Sequence, residues 1–135
     1  MKKTHNIGEL SPEMKIFELI EFDHSLLSIF SRLDIKLPFG DISVEEICHR
    51  DGYSPELFMI LCHMHVDTDY RPAVSSLSAD MLPQVIHYLR ATHRYYTEYM
   101  LPHAALHLDS ILEYCDKLSS STLKRFYNDY TRCIE

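Results

Sequence analysis

The chain has 135 residues, of which 46% are hydrophobic and 24% charged, enough apolar content to build a packed core and too much for a disordered chain. Its formal net charge of -7 argues against tight nucleic-acid binding, because phosphate contacts need a basic face. Only three glycines are present, which excludes Gly-rich phosphate loops and most all-β designs.

No apolar run approaches the length of a membrane span. The start, Met1-Lys2-Lys3-Thr4-His5-Asn6, is basic but no apolar stretch follows it, so no signal peptide is expected and the protein is expected to stay in the cytoplasm. Cys48, Cys62, Cys115 and Cys133 form no C-x-x-C pair and are expected as free thiols, mostly buried.

In chain order, residues 1–11 read as a flexible lead-in. Ser11-Pro12-Glu13 has the composition of a helix start, with Ile16, Phe17, Leu19 and Ile20 as its apolar positions. A second helix is expected from Asp23 or His24 to Leu33, and Pro38-Phe39-Gly40-Asp41 is a turn. Ser43-Val44-Glu45-Glu46 is a capping box, and Asp51-Gly52 should stop the helix it opens. Ser54-Pro55-Glu56 opens another through Leu57, Ile60, Leu61 and Met64.

Residues 1–66 are thus expected as a small helical domain and residues 67–80, polar and turn-rich, as a linker. From Leu82 an apolar seam repeats every three or four residues through Ile86, Leu89, His93, Tyr96, Met100, His103, His107, Ile111 and Tyr114 to Leu118. Pro102 predicts a kink within it. Ser119-Ser120-Ser121 is expected to break the helix, and Thr122 to Glu135 to return antiparallel with Leu123, Phe126, Tyr127, Tyr130 and Ile134 apolar. The fold class is therefore all-α: a cluster of short helices, then a long helical hairpin over residues 81–135.

Histidine is the unusual residue, with nine copies. His93 lies on the seam, where an imidazole is either a hydrogen-bonded core residue or a metal ligand. His103 and His107 are one turn apart on nearly the same face. That spacing suits zinc or iron, but a third ligand is needed, and a half-exposed pair beside Pro102 is the plainer reading. His103 is about 15 Å along the axis from His93, so one ion cannot hold both. Cys62-His63-Met64-His65, followed by Asp67 and Asp69, is ligand-rich, but neighbours at i and i+2 diverge on a helix. No Ser-His-Asp or Cys-His set has local spacing and no paired carboxylates stand out, so a hydrolase is not supported.

Two stretches resemble a known family. Ile86-His87-Tyr88-Leu89-Arg90-Ala91-Thr92-His93-Arg94-Tyr95-Tyr96, followed by Leu101-Pro102, resembles the first helix of hemerythrin-like cation-binding domains. Leu27-Ser28-Ile29-Phe30-Ser31-Arg32-Leu33-Asp34-Ile35, then Phe39-Gly40-Asp41 and Val44-Glu45-Glu46-Ile47-Cys48, resembles the small ScdA-type N-terminal domain. That order is found in the di-iron repair-of-iron-centres proteins, which are linked to repair of iron–sulfur clusters damaged by nitric oxide or oxidants. The resemblance spans roughly residues 15–118. It implies a four-helix bundle with a non-haem di-iron site, and it places His93 at the family's first iron-ligating histidine. The family's other ligands lie on later helices, so the resemblance implies that this chain ends inside the second bundle helix. The chain also departs from the family in having Lys36-Leu37-Pro38-Phe39 where a Cys-Cys pair is common.

The expectation that follows is the N-terminal part of a hemerythrin-like di-iron protein acting in iron–sulfur repair or in the response to nitric oxide or oxygen, with iron–sulfur proteins as partners. This segment alone is expected to hold iron or zinc only weakly and not to be an enzyme by itself. The alternative is a metal-free helical interaction or regulatory module that self-associates. Under either reading the exposed seams predict a homodimer through the hairpin, with neither nucleic acid nor membrane as a partner.

Overall fold

The computed structural model describes residues 10–36 and 40–135. Residues 1–9 of the lead-in over 1–11, and Pro38 and Phe39 of the turn at Pro38-Phe39-Gly40-Asp41, lie outside these residues. Every regular element described is helical: α1 Ile16–Phe22, α2 Leu27–Arg32, α3 Val44–Asp51, α4 Pro55–Val66, α5 Leu82–Tyr95, α6 Leu101–Leu112 and α7 Lys117–Ile134. The all-α class holds, and no helix among the described residues is long and apolar enough to cross a membrane. The chain divides into two compact units, 1–88 and 89–135, with the division inside α5.

In the first unit the Ser11 signal does not open a helix. Met14 N–H donates to the Ser11 carbonyl at 3.2 Å, a single turn, and α1 starts only at Ile16. The reason is non-local. Lys15 is extended and bridges Ser43; Ile16 N–H donates to the Ile42 carbonyl at 3.1 Å and Val44 N–H to the Met14 carbonyl at 2.8 Å. Glu18 then accepts from Lys15 N–H at 2.9 Å and covers one of the free donors at the helix start.

The capping box forms as the sequence predicts. Ser43 Oγ accepts from Glu46 N–H at 3.2 Å while Glu46 Oε2 accepts from Ser43 N–H at 2.6 Å. Gly52, at φ 80°, ends α3 in the left-handed conformation that a Cβ would strain. Ser54 caps α4 and Pro55 occupies its first turn. Along α4 every residue from Leu57 to Cys62 is buried, so this helix is covered all round rather than along one stripe. Ile16, Leu19, Leu26, Ile29, Leu33, Val44 and Ile47 close around it, and Phe30 meets Phe58 edge-on at 5.1 Å between centroids. Each such large side chain contributes roughly 1.5–3 kcal/mol. Met81, Val85 and Tyr88 pack on the same core, which is how the first turns of α5 come to belong to this unit.

Of the four thiols, Cys48 and Cys62 are buried, Cys115 is half-buried and Cys133 is exposed, so burial holds for two rather than for most. Burial pushes the Cys48 thiol up to about 12 and moves Cys62 in the same direction. Both are packing groups rather than nucleophiles.

In the second unit the expected kink at Pro102 takes a particular form. Proline has no N–H and its ring collides with the carbonyl four residues earlier. Residues Tyr96–Met100 widen into a π turn, and Leu101 N–H reaches back five residues to the Tyr96 carbonyl. Helical backbone therefore runs from Ala79 to Leu112 with one wide turn and no break. The break expected at Ser119–Ser121 lies elsewhere. The chain turns at Glu113–Cys115, and Asp116 caps α7 by accepting from Ser119 N–H at 2.7 Å. The serines sit inside α7, and Ser120 Oγ donates to the Leu112 carbonyl at 3.4 Å. Asp outcompeted a serine run as the helix start because its carboxylate is also favoured at the positive end of the helix dipole. Leu118 accordingly belongs to α7 and not to the long seam.

Candidate functional site

α6 and α7 pack as an antiparallel pair. Tyr127 Oη donates to the Leu101 carbonyl at 2.9 Å, and Leu101 is the one described residue of this unit that is buried. The carbonyl it reaches lies at the start of α6, directly after the π turn.

The two sides of this hairpin differ in chemistry. On one, Asp109 of α6 faces Lys124 and Asn128 of α7. On the other runs a more apolar groove, with almost no polar lining in its lower part. Its lower part is formed by Ala104, His107, Leu108 and Ile111 with Leu123, Phe126 and Tyr127, and its upper part by Leu89, Thr92, His93 and Tyr96 with Tyr130 and Ile134. The large side chains of this side are bare: Leu89 is 57% exposed, Ile111 53%, Phe126 68% and Tyr130 51%. Phe126 and Tyr130 stack along α7 at 6.2 Å. Helical spacing puts these residues on one side because positions three and four apart share a face.

His93 stands in the upper groove, exposed at its mouth, with its Nε2 2.9 Å from the Ile134 carbonyl. A carbonyl only accepts, so Nε2 carries a proton, and in the neutral ring Nδ1 keeps its lone pair for another partner. His107 lines the lower groove and is exposed, with no hydrogen bond among the described residues. His103 is also exposed and leans on Tyr99 at 4.5 Å, at the end of a ladder in which Tyr95 and Tyr99 stack at 5.4 Å. His87, outside this unit, pairs with Asp34 at 3.5 Å. No three His, Cys, Asp or Glu side chains converge among the described residues. The described residues therefore do not by themselves build a di-iron shell.

The histidines of α4 serve the fold. His63 Nδ1 donates to the Met59 carbonyl at 2.8 Å and its ring stacks on Tyr70. His65 Nε2 lies 3.0 Å from Ser25 Oγ, which lies 2.6 Å from Asp23 Oδ1. Asp, Ser and His thus meet in space although their sequence positions gave no sign of it. Their order is wrong for a nucleophile. The serine's one proton goes to the carboxylate, so His65 donates to Ser25 instead of accepting from it. The serine hydrogen bond holds the Asp23 carboxyl below its ordinary range, while burial, then Arg32, lowers His65. The three tie the end of α4 to the α1–α2 corner.

No protein-family model, no curated protein and no solved structure matches this chain. The likeness to hemerythrin-like and ScdA-type domains accordingly rests on the residues quoted for it.

Proposed function

We propose that this chain is a helical association module: residues 1–88 form a self-sufficient scaffold, and the hairpin from Leu89 docks its apolar groove on a second copy to complete a four-helix bundle. The observation that carries this reading is the unequal dress of the hairpin, with Asp109, Lys124 and Asn128 on one side and bare Leu89, Ile111, Phe126 and Tyr130 on the other. An apolar face of this extent marks an interface in most proteins, and two-fold dimers are the commonest way to cover one. Light scattering on a size-exclusion column at tens of micromolar tests it. A mass of about twice 15.9 kDa is expected; a monomer at every concentration, melting cooperatively, refutes it.

A second reading is favoured by one observation, the hydrogen bond from His93 to the Ile134 carbonyl. Metal-binding histidines commonly donate their second ring nitrogen to a carbonyl in this way. Under that reading His93 contributes one ligand to a non-haem di-iron centre whose other ligands lie beyond this chain's described groups, in a protein of iron–sulfur repair or of nitric oxide or oxygen response. Iron analysis of the chain alone and of any longer form separates the readings: iron bound only by the longer form, and lost in His93→Ala, supports the di-iron role.

A further inference from the structure

The groove is built symmetrically about Met100. Leu89 and Ile111, both groove-lining, each stand eleven residues from it. Thr92 and Leu108 stand eight residues away, and His93 and His107 seven. Tyr96 and Ala104 stand four away. These are all the α5 and α6 residues that line the two parts of the groove, and each has its counterpart. On the neighbouring helix two of the five groove-lining residues, Phe126 and Tyr130, follow the same centre, while Leu123, Tyr127 and Ile134 have no groove-lining counterpart. Leu101 lies opposite Tyr127, which sets Met100 at the level of Asn128, and Phe126 and Tyr130 flank that level two residues to either side.

Resting on the association reading above, we propose that the occupant of the groove is a second copy laid antiparallel, the α5–α6 run on its own counterpart, about a two-fold axis through the level of Met100. That operation sets Met100 on Met100 and Leu89 on Ile111 of the other copy. It seats the large Tyr96 over the small Ala104, so that a protrusion meets a gap. Along α7 it brings Tyr130 against Phe126. It also joins His93 to His107 at two equivalent places, where the free Nδ1 of His93 accepts from a ring N–H of His107, which has no other partner among the described residues. The buried hydroxyl of Thr92, likewise without a hydrogen bond among those residues, comes to lie in the covered groove. The π turn lies on one side of Met100 and offsets the levels by roughly one residue rise, about 1.5 Å, within side-chain reach. The patch is also large enough. Six large side chains of this face, each baring on the order of 100 Å², together with its histidines and small residues, approach the ~800 Å² per partner of a specific interface.

The test is cysteine cross-linking in the full chain with Cys115→Ser and Cys133→Ser, leaving only the buried thiols. Met100→Cys is expected to give a disulfide-linked dimer as the main product of mild oxidation, and Asp109→Cys, on the polar side, only traces. A second cycle reads the histidine contact. His93→Glu alone should weaken dimerisation on the order of tenfold, and His93→Glu with His107→Lys should restore it. The two positions lie about 21 Å apart within one chain, so rescue requires contact between copies. A dimer by light scattering that neither cross-links through position 100 nor shows rescue overturns this register while leaving the association reading intact. A monomer overturns both.

Discussion

The two units of this chain solve the problem of apolar surface in opposite ways. Before residue 89, short helices that would be marginal in isolation bury Ile16, Leu19, Leu26, Ile29, Val44, Ile47 and Phe58 almost completely around α4. From Leu89 onward, longer and more regular helices bury Leu101 and leave Leu106, Ile111, Tyr114, Leu118 and Phe126 more than half exposed. Helix length and periodicity are therefore poor guides to self-sufficiency. What matters is whether neighbouring elements surround a helix, as they do α4, or flank it on one side, as they do α6 and α7.

The contrast predicts a steep difference in mutational cost. Phe58→Ala should destabilise the first unit by about 3–5 kcal/mol, because it removes transfer energy and leaves a cavity in a closed core. Phe126→Ala should cost the folded monomer less than about 1 kcal/mol, since its ring is already wet. Denaturant titrations at low protein concentration, followed separately for the two units, give the comparison directly. A cost at Phe126 equal to that at Phe58 would mean that the groove is already covered within one chain.

Charge in the groove should have the reverse selectivity. Ile111→Lys is expected to abolish self-association, with dissociation constants raised at least about a hundredfold, while Asp109→Lys on the polar side leaves association within a few-fold of the parent. Sedimentation equilibrium measures both. Equal loss in the two variants would show that the sidedness of the hairpin has no part in assembly.

A smaller effect belongs to the first unit alone. Ser43→Ala removes one half of the capping box on α3 and should cost about 1 kcal/mol. Dimerisation should not respond, and a parallel loss would contradict the independence of the two functions.

Acid should also act on the first unit. His65 is lowered by burial and by Arg32, so the folded state favours its neutral form. Its contribution is full above the unfolded imidazole value near 6.5 and is lost as pH falls from there through the folded value. The stability difference between the parent and His65→Asn should therefore shrink on acidification from pH 7.5 to 5. A difference that grows would reverse the sign of the coupling.

Local chemistry was legible where it is decided within a few residues. Ser43 and Glu46, Gly52, and Ser54 with Pro55 act as their types and spacings imply. The misreadings have non-local or competitive causes. Ser11-Pro12 resembles a helix start, but pairing of Lys15 with Ser43 holds the chain extended until Ile16. The serine run at 119–121 resembles a break, yet Asp116 just ahead of it is the stronger cap. Pro102 announced a disturbance, and the form it takes, a π turn, depends on where the displaced carbonyls find donors. The meeting of Asp23, Ser25 and His65 is a tertiary event across forty residues of chain. In the groove, the seam residues Leu89, His93, Tyr96, His107 and Ile111 were readable from periodicity, but His103, on the same count, leans on Tyr99. The symmetry about Met100 emerges only once the two parts of the groove are seen to share one side.

Amide hydrogen exchange at protein concentrations well below and well above the dissociation constant tests the central claim most directly, because it reads both units in one experiment. Protection in α1 to α4 should be the same at both concentrations. Protection in α6 and α7 should rise with concentration, most around Met100, Ala104, His107 and Phe126. Protection in the hairpin that is high and independent of concentration would contradict the account, since it would mean that the apolar groove needs no second copy.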